Sequence, residues 1–264
     1  MAKIISVANQ KGGVGKTTTA VNLAAALVGE GRTSLLIDLD AQATATRYVL
    51  GQYGEDGRVI YDVLLKGAAL ETTIKQVRPG FGVAPSNLSL ATLDMDLIGE
   101  YNREHRLEIA LDALSAEYDY VIIDCPPNLG FTTINAFVAS DVVIIPIECK
   151  AEAWEAVPRL MITLKKVITN FKKAMKVYAL PTFLERTNLA RDIHAQIQDK
   201  FESLCLPPIH KNQRLAESFA AREPILQYDP TASGAMDYMR IAKEIIDGEE
   251  TAQVRRSMER RRDR

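Results

Sequence analysis

A short loop near the N-terminus constrains the fold of this chain more than any other part of the sequence. Residues 10–18 read QKGGVGKTT, and the second half of this stretch matches the phosphate-binding pattern G-x-x-x-x-G-K-[ST]. Gln10 stands where the pattern has its first glycine, and Lys11 adds a positive charge that the pattern does not require. Such a loop works between a buried strand and the N-terminus of a helix. The loop therefore favours an α/β fold.

Short apolar runs alternate with longer helical patterns along the chain. Runs rich in β-branched residues predict buried strands at 4–8, 34–37, 81–84, 120–123, 142–147 and 177–180. Helical spacing predicts helices at 16–29, 88–98, 104–115 and 189–201. This alternation is typical of a parallel sheet that is covered on both faces. We therefore predict an α/β fold, a single-domain P-loop NTPase with a mostly parallel sheet flanked by helices on both faces, formed by residues 1–248.

The composition agrees with an ordinary globular protein. Of the 264 residues, 47% are hydrophobic and 25% are charged, which is the usual balance for soluble domains. No apolar run reaches the ~18 residues that a membrane span needs, and the N-terminus lacks the pattern of a signal peptide. The cysteines, Cys125, Cys149 and Cys205, stand in unrelated contexts. These features favour reduced thiols in a cytoplasmic protein.

The charge is unevenly distributed, although the formal net charge is −2. Residues 165–176 hold five lysines and no acid, and residues 253–264 hold six arginines against two acids. The apolar pattern stops after Gly248. Residues 249–264 are therefore predicted to form a basic C-terminal tail, which is either an exposed helix or disordered.

The loop has the chemistry of a phosphate site. Gly12, Gly13 and Gly15 let the backbone approach a phosphate closely and adopt positive φ. Successive N–H groups in such a loop form an anion-binding concavity, and the helix that begins near Lys16 adds its N-terminal dipole. Lys16 is expected to reach the β- and γ-phosphates, and Thr17 to bind Mg²⁺ through its hydroxyl. The alternative is a glycine-rich turn without a ligand.

Acidic residues follow two of the predicted strands. Asp38 and Asp40 end one buried run, and Asp124 ends the run Tyr-Val-Ile-Ile. Ligands of open α/β sheets bind at the carboxyl ends of the strands, so we expect these acids to converge on the loop. One carboxylate beside Mg²⁺ can orient the ion's water shell, and another can position an attacking water. The alternative for any one of them is that it caps the following helix.

Three motifs together resemble a known family. Residues 11–18, the run Asp-Leu-Asp-Ala-Gln at 38–42 and the run Asp-Cys-Pro-Pro at 124–127 resemble the ParA/MinD ATPases with a deviant Walker A loop. The resemblance is greatest to the ParA (Soj-like) partitioning branch and extends over roughly residues 3–247. The three motifs occur in the family's order and at its separations.

The resemblance implies a homodimer that forms on ATP, with both nucleotides at the interface. The lysine that matches Lys11 reaches the phosphates of the partner's ATP, and two-fold symmetry makes this contact reciprocal. Lys16 is the P-loop lysine, and Asp40 positions the hydrolytic water. The resemblance thus implies three catalytic residues, Lys11, Lys16 and Asp40. The chain is thus expected to hydrolyse ATP to ADP and phosphate in a Mg²⁺-dependent reaction.

The resemblance also assigns the ligand-binding residues. Thr17 binds the metal, and Asp38 and Asp124 lie around its water shell. Residues 209–215 resemble the adenine-contacting stretch of the family. The implied nucleotide contacts are Lys11, Gly12, Gly13, Val14, Gly15, Lys16, Thr17, Thr18 and Asn212.

Some positions depart from the family pattern. The first acidic motif usually reads Asp-x-Asp-Pro-Gln-Gly, but Ala41 and Ala43 replace its proline and glycine. His210 and Lys211 replace the usual proline and arginine of the late stretch. The first strand begins at once, without the N-terminal helix-turn-helix extension of large plasmid ParA proteins. We therefore expect no sequence-specific operator binding.

The basic segments are candidates for DNA binding. Leu164, Val167, Ile168, Phe171 and Met175 follow helical spacing, which predicts an amphipathic helix with lysines on its opposite face. Small relatives in the family bind nucleoid DNA nonspecifically as ATP dimers, and clustered Lys and Arg suffice for phosphate contacts. The alternatives are a solvated helix face and a solubilising tail. The candidate DNA-binding residues are Lys165, Lys172, Lys173, Lys176, Arg214, Arg255 and Arg256.

The sequence thus predicts a cytoplasmic, nucleoid-associated ATPase that partitions or positions cargo, such as a plasmid, a chromosome or a protein organelle. A ParB-like or adaptor protein is expected to stimulate hydrolysis. The alternative is a MinD-like membrane-surface ATPase, but the last twelve residues offer only Val254 and Met258 for apolar burial. A redox relative such as nitrogenase iron protein would need paired cluster-binding thiols, and a GTPase would need a guanine-reading Asp motif. Neither pattern is present.

Overall fold

The computed structural model describes residues 2–51, 57–112, 114, 118–150, 152 and 157–262, with side chains up to residue 249. Within these residues the sheet has seven strands in the order β3-β4-β2-β5-β1-β6-β7. All neighbouring strands are parallel except the edge strand β3, which is antiparallel to β4. The strands are β1 (Lys3–Val7), β2 (Ser34–Asp38), β3 (Lys75–Arg78), β4 (Phe81–Ala84), β5 (Tyr120–Asp124), β6 (Val142–Glu148) and β7 (Lys176–Thr182).

Helices cover both faces of this sheet. The described helices are α1 (Lys16–Gly29), α2 (Thr44–Leu50), α3 (Ile60–Lys66), α4 (Leu93–Asp96), α5 (Arg106–Asp112), α6 (Phe131–Ala139), α7 (Val157–Phe171), α8 (Asn188–Phe201), α9 (Gln213–Ala221), α10 (Ile225–Tyr228) and α11 (Ser233–Arg262). Apolar residues of α1, α2, α9, α10 and α11 form one buried core, and those of α3 to α8 form the other. We call the two sides the α1 face and the α6 face. The predicted fold class is confirmed.

The alternation of side chains along the strands explains the two cores. In β2, Leu35 and Ile37 belong to the core of the α6 face, whereas Leu36 belongs to that of the α1 face. All three are fully buried. Successive side chains of a strand point to opposite faces. A central strand covered on both sides is therefore apolar throughout, which is the pattern the sequence presents.

Some predicted elements differ in the structure. The predicted helix at 88–98 is instead a 3-10 turn at Leu88–Thr92, capped by the Asn87 side chain, followed by the short α4. Leu88 and Met95 are exposed, so the apolar residues of this segment do not form one buried helical face. The predicted helix at 104–115 is described only as Arg106–Asp112. The edge strand β3 was not predicted, since Val77 is its only apolar residue and Lys75 and Gln76 are exposed.

The predicted amphipathic helix around 164–175 ends earlier than its spacing indicates. Helix α7 stops at Phe171, and Lys172 adopts the left-handed conformation with φ 52°. Met175 therefore lies outside the helix, and Lys176 begins β7. The lysines of this segment are spread over a helix, a turn and a strand rather than one helical face.

Helix α11 continues past the predicted domain boundary at residue 248. Ile245 and Ile246 are the last buried apolar residues among its described side chains, and the Glu249 carboxylate accepts a hydrogen bond of 3.0 Å from the Tyr120 hydroxyl. The backbone remains helical to Arg262. Beyond Glu249, the side chains of the predicted basic tail, Arg255 and Arg256 included, lie outside the described residues. Among the helices that are described, none combines the length and apolarity needed to cross a membrane.

Candidate functional site

The loop and the acidic residues meet at the carboxyl edge of the sheet. Strand β5 lies between β1 and β2, and its last residue, Asp124, is in register with Val7 on one side and Asp38 on the other. The loop leaves β1 at this edge and enters α1 at Lys16. The parallel arrangement thus brings together residues that are far apart in the sequence.

Two buried polar side chains hold the loop in place. The Asn9 amide Nδ2 donates to the Pro146 carbonyl at 2.7 Å, while its Oδ1 accepts from the Lys11 backbone N–H at 3.0 Å. The Thr182 hydroxyl donates to the Val14 carbonyl at 3.0 Å. The loop is therefore tied to β6 and β7 as well as to β1. Sequence reasoning missed both anchors, because isolated polar residues at strand ends carry no distinctive pattern.

The glycines shape the loop for an anion. Gly13 and Gly15 have φ of 76° and 89°, a region that side chains other than glycine rarely occupy. A Cβ at Gly12 or Gly13 would meet no atom within 4 Å, so the loop is open on that side. Thr19 N–H already bonds to the Gly15 carbonyl, which starts α1 directly at the loop. The open side and the helix N-terminus fit a bound phosphate.

The two loop lysines have different environments. Lys16 is only 8% exposed, and its ammonium donates to the Lys11 carbonyl at 3.1 Å. Burial lowers the pKa of Lys16, and the nearby carboxylates of Asp124 and Asp40 partly oppose this effect. Lys11 is half-buried. Among the residues that the structure describes, no carboxylate forms an ion pair with its ammonium.

Asp124 is a buried carboxyl group to which the described residues donate no regular hydrogen bond. Both of its oxygens are inaccessible and unpaired. Burial, and after it the neighbouring Asp38, raises the pKa of Asp124 well above its ordinary value. Thr17 and Lys16 oppose this rise, although neither forms a regular hydrogen bond to the carboxylate oxygens. A buried acceptor left unpaired calls for a missing donor. Water molecules bound to Mg²⁺ would supply such donors beside Thr17, so these residues fit the ion.

The site contains few direct ligands for a metal. Within the described part of the chain, no group of three or more His, Cys, Asp or Glu side chains could hold an ion by itself. Mg²⁺ commonly keeps several waters and is bound by one or two protein groups together with substrate phosphates. The Thr17 hydroxyl and the Asp124 carboxylate agree with that kind of site.

Asp38 is held entirely by protein donors. Its Oδ2 accepts from the Thr46 N–H at 2.8 Å and the Thr46 hydroxyl at 2.7 Å, and its Oδ1 accepts from the Asp40 N–H at 3.0 Å. Burial raises the pKa of Asp38 to about 6, although these hydrogen bonds oppose the rise. Asp38 thus organises the segment that follows β2.

Asp40 is partly exposed and lies at a tight turn. Its Oδ1 accepts from the Gln42 N–H at 2.9 Å, and its carbonyl accepts from the Ala43 N–H at 2.8 Å. Ala43 has φ 50° and ψ 38°, which is the left-handed conformation. The family's first acidic motif, Asp-x-Asp-Pro-Gln-Gly, has glycine at this position. The turn therefore adopts a backbone conformation typical of glycine, although the residue at this position is alanine.

The late stretch reaches the same edge of the sheet. His210 forms a bridge with Leu184 just beyond β7, and Phe183 of that segment packs near Gly15 of the loop. Asn212 caps α9: its Oδ1 accepts from the Arg214 N–H at 2.8 Å, and its Nδ2 donates to the Ser233 hydroxyl at 2.7 Å. The structure thus places the start of the late stretch beside the segment that packs near the loop.

The candidate DNA-binding residues do not form one surface. Lys165, Lys172 and Lys176 are exposed on or beside α7, whereas the Lys173 ammonium lies 2.9 Å from the Glu108 carboxylate. These lysines belong to the α6 face and to the edge beside it.

Arg214 lies on α9, across the sheet on the α1 face. Its guanidinium pairs with Glu217 at 2.7 Å and with Asp229 at 3.1 Å. The structure therefore does not bring Arg214 together with the lysines.

Comparisons of the sequence identify relatives along nearly the whole chain. A family model described as an AAA domain matches residues 2–177. The sporulation initiation inhibitor protein Soj of Bacillus subtilis is 39% identical over 249 residues, which are 93% of this chain and 98% of Soj. The chromosome partitioning protein ParA of Caulobacter vibrioides is 34% identical over 262 residues, which are 96% of this chain and 97% of that protein.

Solved structures of similar fold contain nucleotides. Cobyrinic acid a,c-diamide synthase from Mycobacterium smegmatis, solved with ADP and magnesium, has a TM-score of 0.83 at 31% identity, covering 96% of this chain and 97% of its own. A plasmid partition protein from Borrelia burgdorferi bound to AMPPNP has a TM-score of 0.81 at 26% identity, covering 94% and 100%. The P-loop geometry, the buried acids around it and these matches identify the chain as a member of the ParA-like family of partition ATPases.

Proposed function

We propose that this chain is a Mg²⁺-dependent ATPase that dimerises on ATP, binds DNA nonspecifically and partitions or positions a cargo. The observation that carries the proposal is the arrangement of the two loop lysines. Lys16 is buried against the Lys11 carbonyl, whereas the Lys11 ammonium has no ion-pair partner among the described residues. Lys16 would therefore serve the chain's own nucleotide, and Lys11 would be available for a second one.

The loop would bind the phosphates of ATP. N–H groups of residues 12–17 and the α1 N-terminus supply donors and a positive dipole. Lys16 would neutralise the β- and γ-phosphates, Thr17 and Asp124 would hold Mg²⁺ and its water shell, and Asn212 would contact the adenine side. When bound, Mg²⁺ supplies positive charge that stabilises the transferring phosphoryl group.

Lys11 would couple nucleotide binding to dimerisation. Its backbone is fixed at both ends, because Asn9 holds the N–H and Lys16 holds the carbonyl. The side chain therefore starts from a defined position, which lowers the entropy lost when it contacts a phosphate. In a two-fold dimer the same contact forms twice, so each ATP would be bound by both subunits.

Asp40 would position the water for hydrolysis. Its Oδ1 is bound to the Gln42 N–H, and its Oδ2 forms no hydrogen bond to the described residues. A carboxylate that is oriented but has a free oxygen can hold a water in line with the γ-phosphate. A ParB-like or adaptor protein would accelerate this step, and release of the dimer from DNA would follow it.

The exposed lysines beside α7 would bind DNA phosphates. Lys165, Lys172 and Lys176 form no ion pair with described carboxylates, whereas Lys173 and Arg214 do. Binding of this kind depends on charge alone and is therefore independent of sequence and sensitive to salt. The protein would then reside in the cytoplasm, associated with the nucleoid.

Light scattering of the full chain with Mg²⁺ and ATP tests the dimer. Lys11→Ala is expected to remain a monomer with ATP, because the contact to the partner's phosphate is lost, yet it should bind ADP like the wild type. Lys75→Ala, which removes an exposed lysine of β3, is the matched control and should dimerise. An ATP dimer of unchanged stability in Lys11→Ala would contradict the proposed role of Lys11.

DNA binding is tested by its dependence on salt. Each phosphate contact contributes about 0.9 to the slope of log K against log salt. Lys165→Ala with Lys172→Ala should therefore lower the slope by about 2. Lys75→Ala should leave it unchanged. A flat salt response of the wild type, or binding to anionic vesicles instead of DNA, would contradict the proposal and favour the membrane-surface alternative.

A further inference from the structure

Ser86 connects the end of β4 to the backbone of Asp40. Its hydroxyl donates to the Asp40 carbonyl at 2.7 Å, and the residue is 1% exposed. Strand β4 pairs with β2, with Ala84 beside Ile37, so Ser86 and the segment after β2 leave the sheet side by side. The bond joins a turn that contains a charged, partly exposed residue to the rigid end of an internal strand.

A second bond extends this connection to Asp38. The Ser86 N–H donates to the Thr46 hydroxyl oxygen at 2.9 Å, and the Thr46 hydroxyl donates to Asp38 Oδ2 at 2.7 Å. A hydroxyl has one proton, and an ionised carboxylate only accepts, so the direction of each bond is fixed. Asp38 Oδ1 in turn accepts from the Asp40 N–H. Ser86, Thr46 and Asp38 thus hold Asp40 at its N–H and at its carbonyl.

We propose that Ser86, supported by Thr46, is a positioning residue for ATP hydrolysis: it fixes the backbone of Asp40 so that the Asp40 carboxylate faces the attacking water. The inference rests on the proposed role of Asp40 as the residue that positions this water. Ser86 itself touches neither the loop nor its lysines in any described contact. Its effect is therefore on the rate of hydrolysis and not on the affinity for nucleotide.

The neighbourhood of Asp40 explains why this bond matters. Ala43 occupies a left-handed conformation, which is strained for a residue other than glycine. The Ala43 N–H and the Ser86 hydroxyl both donate to the Asp40 carbonyl, so these bonds hold the turn against that strain. A displacement of about 1 Å in a positioning group can slow a reaction about a hundredfold. Losing one of the two bonds is therefore expected to change the rate measurably.

Single-turnover hydrolysis of ATP by the full chain tests the proposal. Ser86→Ala is expected to lower the rate constant about tenfold, in keeping with one lost hydrogen bond. The Kd for ATP should stay close to wild type, because the loop is untouched. The Tm should fall only by the roughly 2–4 °C that one lost hydrogen bond costs, because Thr46 keeps its bond to the Ser86 N–H. Ser89→Ala, which removes an exposed hydroxyl three residues further on, should behave as wild type in all three measurements.

Thr46 provides a second pair of variants. Thr46→Ser keeps the hydroxyl and should retain most of the rate, whereas Thr46→Val keeps the shape of the side chain and removes both hydroxyl bonds. A slow Thr46→Val beside a fast Thr46→Ser supports the proposal. Equal rates in the two variants would show that packing, and not the hydroxyl, is what Thr46 contributes.

The Asp40→Ala variant separates this inference from the proposed function. If Asp40→Ala stops hydrolysis while Ser86→Ala hydrolyses ATP at the wild-type rate, the inference is wrong and the role of Asp40 stands. If Ser86→Ala loses ATP affinity and Tm in proportion to its rate, Ser86 has a structural role only. A wild-type rate in Asp40→Ala would overturn the proposed water positioning, and the inference with it.

Discussion

The interaction of Asn9 with β6 yields a quantitative prediction for the phosphate-binding loop. The Ala8 N–H bonds to the Ile144 carbonyl as the last ladder contact of β1, and two residues further along β6 the Asn9 side chain bonds to the Pro146 carbonyl. The side chain thus replaces a backbone donor where the chain turns away from the sheet. Asn9 is 2% exposed.

The cost of Asn9→Ala follows from these contacts. Two hydrogen bonds are lost, those to the Pro146 carbonyl and from the Lys11 N–H, each with a net value of about 1 kcal/mol. The buried Pro146 carbonyl is also left without a donor, which adds about 1 kcal/mol or more. The expected loss is about 3 kcal/mol in the free energy of unfolding. Nucleotide affinity should also fall, because the released loop must be ordered on binding.

Urea unfolding and titration with a fluorescent ADP analogue measure the two effects. Asn170→Ala, at an exposed position on α7, is the matched control and should change the free energy of unfolding by less than about 0.5 kcal/mol. If Asn9→Ala is as stable as Asn170→Ala and binds the ADP analogue like the wild type, the loop does not depend on this anchor.

Two further predictions concern the backbone and pH. Ala43→Gly should raise the free energy of unfolding, measured with urea, by about 1 kcal/mol, because glycine adopts the left-handed conformation without strain. A loss of stability would contradict this reading of the turn. Burial raises the pKa of Glu249 in the folded chain, so the stabilisation from its protonated form is present below its ordinary pKa and is lost as pH rises. The free energy of unfolding of Glu249→Gln should therefore rise relative to that of the wild type as the pH increases above the ordinary pKa of a glutamate. A difference that does not change with pH would refute this reading.

The fold class and the position of the loop could be predicted because their signals are local. Residues 10–18 identify a strand, a loop and a helix in immediate succession, and the runs before Asp38 and Asp124 are apolar enough to be buried strands. Parallel strands place their carboxyl ends at one edge. The convergence of the acids on the loop followed from that rule, and the structure brings them together.

The contacts that support the site could not be predicted in the same way. The bonds from Asn9 to Pro146, from Thr182 to Val14 and from Ser86 to Asp40 join residues 137, 168 and 46 positions apart. Each depends on which strands are neighbours, and periodicity reports only that a strand is buried. The roles assigned to individual site residues remain predictions until the variants are measured.

Taken alone, the sequence determined a phosphate-binding loop with a surplus lysine, acids at strand ends and a sheet buried on both faces. It did so because loop chemistry and side-chain periodicity act over a few residues. The tertiary structure decided which side chains hold Asp40, and that the described residues donate no regular hydrogen bond to Asp124. It also decided that Arg214 and the lysines beside α7 lie across the sheet from one another. Those outcomes depend on the order of strands and on the face each helix covers, which only the packing of the whole chain fixes.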